Sequence, residues 1–288
     1  MTTETLMLLA GYSLAIMTAS LLGGWLPSLV RMTHTRTQVI MSFVAGLMLG
    51  VALFHLMPHA LVHLHVEQSA GEAVERMVWW VTIGMVLMLL LLRLFHFHQH
   101  DFSDEEHHHH DHHHEHGPDA HPLSWVGIAL GLGLHTLIDG VALGASIQGG
   151  ALHGEAAGLA GIGVFLAILL HKPLDALSIT SMMQAGGWTS RARSFANLGF
   201  ALMCPLGALL FLLGVSALGG DQGVIVGSAL ALSAGVFLCI SLGDLLPEVH
   251  FHSHDKLKLT LAFLLGIGLA YGLRYLEPGF MHSLESVT

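Results

Sequence analysis

Apolar blocks of about 20 residues recur from one end of this sequence to the other, each long enough to cross a ~30 Å hydrocarbon layer as a helix. Few folds are open to such a chain. In lipid every backbone N–H and C=O must find a partner inside the structure, which leaves helices or closed barrels. Continuous runs of this length, without alternation, are helical. Composition agrees: of 288 residues, 53% are hydrophobic and 10% charged, against about a quarter charged in soluble domains. The expectation is an all-α integral membrane protein, one polytopic domain over 1–288. Eight spans fit the hydropathy: 5–30, 38–64, 77–95, 123–149, 155–184, 194–219, 223–250 and 258–276.

Other features support this reading. The 34 glycines and small-residue runs such as GVALGAS suit close helix packing in lipid. The start, MTTETLMLLAGYSL, has no basic n-region and reads as a first span rather than a cleaved signal peptide. Cys204 and Cys239 both fall in apolar runs, which argues against disulfides or a Cys-based zinc site. Orientation follows from short-loop Lys and Arg. With the N-terminus outside, Arg31, Arg36, Arg93, Arg191, Arg193, Lys256 and Lys258 fall inside, and only Arg76 and Arg274 outside. Both termini are therefore expected outside the cell (inner or plasma) membrane.

One segment is of a different kind. Between the third and fourth spans lies HFHQHDFSDEEHHHHDHHHEHGPDAH, residues 96–121, with twelve of the chain's 24 His. It is too polar to bury a core and is expected as a disordered cytoplasmic loop. Imidazole is a common ligand for borderline metals, and flanking carboxylates add charge. His107, His108, His109, His110, His112, His113 and His114 are therefore candidate chelators.

Ionisable groups at membrane depth are costly and mark a transport path or proton relay by default. Span four carries His135 and Asp139 in GLHTLIDGVALG, and span five carries His171 and Asp175 in LLHKPLDALSI. Each pair is spaced i,i+4 and projects from one helix face. Both lie near mid-span, so two antiparallel neighbours can bring four ligands to one depth. Two imidazole nitrogens and two carboxylate oxygens suit Zn²⁺, with Fe²⁺, Mn²⁺, Co²⁺ and Cd²⁺ chemically open as well. Pro173 cannot donate to the carbonyl of Leu169, so a kink and a freed acceptor are expected there; broken helices with midplane sites are common in transporters.

HTLIDG and HKPLDA resemble the span-four HNxxDG and span-five HExxHE-type motifs of the ZIP (Zrt/Irt-like) divalent-metal transporters. Eight spans, outward termini and a His-rich loop after span three extend the resemblance over the whole chain. It implies a dimeric carrier that brings zinc or a similar cation into the cytoplasm. It also implies an elevator-like motion of spans one, four, five and six against the rest. His135, Asp139, His171 and Asp175 would be the main metal ligands. Met48, in AGLMLG of span two, matches a soft ligand of some members. Two positions depart from the family pattern: Thr136 stands where Asn is usual, and Lys172 where many members place a ligand for a second metal. An ammonium has no lone pair and repels a cation at close range. One metal is therefore expected, with Lys172 substituting for the charge of the second and pairing with Asp175 or Asp139.

A second pattern concerns the path. Span two ends FHLMPHALVHLH and span seven GDLLPEVHFHSH, so each holds polar–x–x–Pro–polar: His55 with His59, and Asp244 with Glu248. The spans run in opposite directions, as an inverted repeat of spans one to three against six to eight, around four and five, would produce. His55, His59, His63 and His65 read as an outer entrance; Asp244, Glu248, His250, His252 and His254 read as an inner exit. His153 and His282 read as surface residues. No GxxxxGK[ST] is present, so ATP coupling has no support. No HExxH is present either, and a catalytic zinc usually keeps three protein ligands and an open position; four available ligands favour binding and release over the alternative of a membrane-embedded zinc hydrolase, in which an Asp would serve as base. A metal sensor or storage protein would keep the His loop without needing polar pairs near both faces. The expected partners are a divalent metal ion, the bilayer and a second copy of the chain; no nucleic acid is expected.

Overall fold

The computed structural model describes residues 3–29, 34–65, 69–95, 124–152, 159–218, 221–245 and 256–276, and among them it is all-helical, with no strand. Helix α1 is Thr3–Leu29. α2 runs His34–Val51, passes through a π turn at Ala52–Leu56 and resumes over Met57–His65. α3 is Ala70–Phe95, α4 Ser124–Leu152, α5 Ile162–Ala185 and α6 Ser190–Leu218. α7 is Gln222–Ile240, prolonged by a π turn at Ser241–Leu245, and α8 is Lys256–Leu273 with a 3₁₀ turn at Arg274–Leu276. Among the described residues all eight are long and apolar enough to cross a membrane, so the chain is an integral membrane protein.

Helix ends follow local chemistry more than hydropathy. α3 starts at Ala70, ahead of the apolar run that begins at 77, because Ser69 and Glu72 form a capping box. The Ser69 hydroxyl and backbone N–H both donate to the Glu72 carboxylate, at 2.8 and 3.2 Å. α5 starts at Ile162 rather than at 155, because Gly161 is left-handed (φ 68°) and ends a turn that no helix can pass through. At its other end Gly187 is also left-handed (φ 73°), and the Trp188 N–H reaches back to the Met183 carbonyl at 3.0 Å, a Schellman-type stop. α5 runs unbroken between these glycines, through Pro173.

The helices sort into two sub-bundles. α1, α4, α5 and α6 pack on one another, as do α2, α3, α7 and α8; the border between the groups is mainly α4 on α7, with lesser contacts of α3 on α4 and α2 on α5. The pairing obeys an internal exchange of α1 with α6, α2 with α7, α3 with α8 and α4 with α5. Thus α2 on α8 is matched by α7 on α3, and α1 on α5 by α6 on α4.

Glycines show the same exchange at atomic scale. A Cβ on Gly46 of α2 would strike the Phe263 carbonyl of α8, and one on Gly266 would strike that of Phe43. The matching pair is Gly235 of α7 against the Val81 carbonyl of α3, and Gly84 against that of Leu232. A shift of 189 residues (235 less 46) carries Gly46 to Gly235 and the π turn Ala52–Leu56 onto Ser241–Leu245. In sequence the same shift carries His55, Pro58 and His59 to Asp244, Pro247 and Glu248. The helices are thus an inverted repeat, closely packed where small residues let backbones touch.

Candidate metal centre

α4 and α5 cross near the middle of both helices. His171 is nine residues into α5, about 14 Å along a 24-residue helix. The i,i+4 spacing puts His135 over Asp139 on α4 and His171 over Asp175 on α5, and the two faces meet. One ligand atom from each of the four side chains lies within 4.8 Å of the others. The Asp139 Oδ2 is 3.2 Å from His171 Nε2 and 3.4 Å from His135 Nε2; the Asp175 Oδ2 is 3.7 Å from both.

His171 is oriented before any ligand arrives. Its Nδ1 lies 2.8 Å from the Ala167 carbonyl. A carbonyl only accepts, so Nδ1 carries the proton, and in the neutral ring Nε2 presents its lone pair to the cluster. A lone pair on Nε2 facing a carboxylate oxygen at 3.2 Å is an arrangement that a cation between them would relieve. Asp139 Oδ1 is moreover buried without a hydrogen-bond partner. Such orphaned atoms are rare in folded proteins, and this one leaves a free carboxylate lone pair on a member of the cluster.

Lys172 is the fifth member. Its side chain is 1% exposed, and its Nζ donates to Asp139 Oδ2 at 2.5 Å, to Asp175 Oδ2 at 3.0 Å and to Thr136 Oγ1 at 3.0 Å. Three protons thus meet three acceptors. Thr136 can only accept from Lys172, because its own proton goes to the Leu132 carbonyl at 2.8 Å. Of the two carboxylates the sequence offered, the ammonium takes both. The sequence marks Thr136 only by its place next to His135, one turn before Asp139; its role as an acceptor comes from the helix crossing. The Phe200 ring lies 5.4 Å from Nζ.

The centre has a closed and a more open side. Asp139 and both imidazoles are nearly shut off from solvent, while the Asp175 side chain is 18% exposed. Toward α7 the His171 ring meets Phe237 edge-on, with centroids 6.3 Å apart. The cluster thus belongs wholly to one sub-bundle and faces the other. Pro173, between the ligands of α5, packs its backbone on Gly23 of α1; Leu137, between those of α4, packs on Gly207 of α6. These two contacts are mates under the repeat.

The remaining sequence candidates are spread out. Met48 is fully buried in the main apolar core. His55, in the π turn of α2, is buried; its Nε2–H donates to the Ala270 carbonyl of α8 at 2.8 Å, and its ring lies against Gly163 of α5. His63 is buried against Gly149 of α4 and Gly227 of α7, and His59 and His65 are half-buried. Among the inner candidates, Asp244 has its backbone in the π turn of α7 but its side chain outside the described set. Glu248, His250, His252 and His254 lie outside the described residues, as do His153, His282 and the loop chelators His107–His110 and His112–His114.

The family model described as ZIP Zinc transporter matches residues 93–274, which is more than half of the chain and takes in both helices of the His/Asp cluster. Comparison with curated proteins finds no match. The buried His/Asp cluster fits what a divalent-metal transporter needs, and the family's members are transporters rather than enzymes. On the strength of that match the chain belongs to the ZIP zinc transporter family, whose work is to carry divalent metals across a membrane.

Proposed function

We propose that this protein is an ATP-independent carrier that brings Zn²⁺, or a similar cation such as Fe²⁺, Mn²⁺, Co²⁺ or Cd²⁺, into the cytoplasm through one midplane site. The observation that carries the reading is the convergence of His135, Asp139, His171 and Asp175 within 4.8 Å on a single sub-bundle. Ligands that share one body can travel together, so movement of α1, α4, α5 and α6 against α2, α3, α7 and α8 would present the same site to either face. With both termini outside, as the short-loop charges suggest, Asp175, the most exposed of the four at 18%, would lie on the cytoplasmic side of the centre.

Lys172 supports a single metal. Its ammonium occupies the carboxylate side on which a second cation would sit and supplies one positive charge there. Met48 belongs to this reading as a soft ligand. The repeat relates it to Phe237 (237 less 48 is again 189), and Phe237 is the ring against His171. By the exchange of α4 with α5, the position that corresponds on the other side is His135, which is the support for Met48 as a soft ligand. His55, His59 and His63 would pass the ion from outside, and Asp244, Glu248 and His250 would release it toward the His-rich loop as cytoplasmic chelator. The dimer implied by the family completes the assembly.

Radiolabelled Zn²⁺ uptake by proteoliposomes tests the site. His171→Ala and Asp175→Ala are each expected to cut uptake at least tenfold at equal protein, since each removes one of four ligands. Undiminished uptake in both overturns the site. One tightly bound metal per chain is expected by metal analysis; two adjacent metals with Lys172 displaced would end the single-metal claim.

A further inference from the structure

The bonding of Lys172 goes beyond charge replacement. An alternating carrier must make two crossings, one loaded and one empty, and the empty one is the harder for a site built of buried carboxylates. Stripped of metal and of Lys172, the centre would hold two like charges, on Asp139 and Asp175, in a low-dielectric setting with no counter-ion. Buried charges left without a partner are strongly destabilising, and two carboxylates near one another repel.

The geometry points to Lys172 as a tethered return cargo: an ammonium, anchored by Thr136, that holds the two metal-binding carboxylates together when the metal has gone and so lets the empty site cross back. This rests on the carrier reading above. Three features support it. Nζ bonds the same Oδ2 atoms that face the imidazoles, at 2.5 Å for Asp139 and 3.0 Å for Asp175. Its third proton is held by a hydroxyl whose own proton is committed elsewhere, so the ammonium has one seat. Asp139 Oδ1 stays without a partner, so a metal can find a carboxylate lone pair without expelling the lysine from the centre.

Charge follows from the same contacts. Two carboxylates and one ammonium leave the empty centre with one net negative charge, and a divalent cation between neutral imidazoles leaves it with one net positive charge. Loaded and empty crossings then carry equal and opposite charge. Neither is as unfavourable as the doubly negative centre that would return without the lysine.

Net uptake needs the empty return, whereas exchange of labelled for unlabelled Zn²⁺ across the same vesicles uses loaded crossings only. Both are measured in proteoliposomes for wild type, Lys172→Gln and Lys172→Arg, and the readout is the ratio of net uptake to exchange. In Lys172→Gln the ratio is expected to fall at least tenfold below wild type, and in Lys172→Arg, which keeps the charge, to stay within about threefold. An unchanged ratio in Lys172→Gln overturns the proposal, as does loss of net uptake and exchange in parallel, which a purely structural or binding role would give. An equal fall in Lys172→Arg also overturns it. Wild type that takes up Zn²⁺ without any exchange would instead defeat the carrier reading itself, so the two failures are told apart.

Discussion

Lys172 Nζ has three protons and three acceptors, on two carboxylates from different helices and on one threonine hydroxyl. Removing an acceptor has a graded cost. Thr136→Val leaves one buried N–H without a partner and is expected to lower stability by about 1–3 kcal/mol. Asp139→Asn leaves the ammonium one carboxylate and should cost more, about 3–5 kcal/mol, the range for breaking a buried ion pair. Thermal unfolding in detergent ranks the two variants against wild type, and a smaller loss for Asp139→Asn would contradict the ranking. Thr136 and Lys172 also show where sequence reading stops at this scale. Each stands inside one of the two polar motifs, next to a His, but they lie 36 residues apart in sequence. That one answers the other is a property of the α4–α5 crossing alone.

Among elements, close backbone approach decides which glycines matter. Gly140, next to Asp139, meets the Cys204 carbonyl of α6, and Gly207 returns the contact against Leu137 of α4. Gly140→Ala must therefore push α4 and α6 apart and is expected to cost about 1–3 kcal/mol, as overpacking does, and to lower Zn²⁺ uptake with it. Gly11→Ala on α1 meets nothing within 4 Å and should be neutral or slightly stabilising, because Ala is the better helix former. Melting temperatures of the two variants, measured side by side, check the contrast. Element ends were partly legible. The Ser69–Glu72 capping box was there to be read as S-x-x-E, but hydropathy alone starts α3 seven residues late because its first two turns are polar. For α5, Gly161 is one of 34 glycines, and only its left-handed backbone marks it as the boundary.

On the scale of the molecule the proposed carrier mechanism calls for one sub-bundle to slide on the other, and crosslinks distinguish motion within them from motion between them. In a background with Cys204 and Cys239 replaced by Ala, Gly144→Cys with Ala208→Cys joins α4 to α6 inside one sub-bundle. There a Cβ on Gly144 comes 3.3 Å from Ala208 Cα. Gly149→Cys with Val226→Cys joins α4 to α7 across the border, where a Cβ on Gly149 comes 3.4 Å from Val226 Cγ1. Oxidation is expected to leave Zn²⁺ uptake in the first pair near its reduced level and to lower it at least tenfold in the second, with reductant restoring it. Equal uptake in both oxidised pairs would show that the sub-bundles do not slide.

Sequence by itself determined the number and type of elements, because spans of about 20 apolar residues have almost no alternative to the helix in lipid. It also offered the four candidate ligands, because charge at that depth is expensive enough to stand out from its surroundings, and i,i+4 spacing fixes a helix face without reference to any other helix. It hinted at the repeat through the matching Pro-centred ends of α2 and α7. Only the tertiary structure decided that His55 and His63 are held in helix contacts, that the ammonium takes both carboxylates and not one, and that a threonine hydroxyl accepts its third proton. Those outcomes depend on which backbones approach closely, and close approach is a property of pairs of helices far apart in the chain.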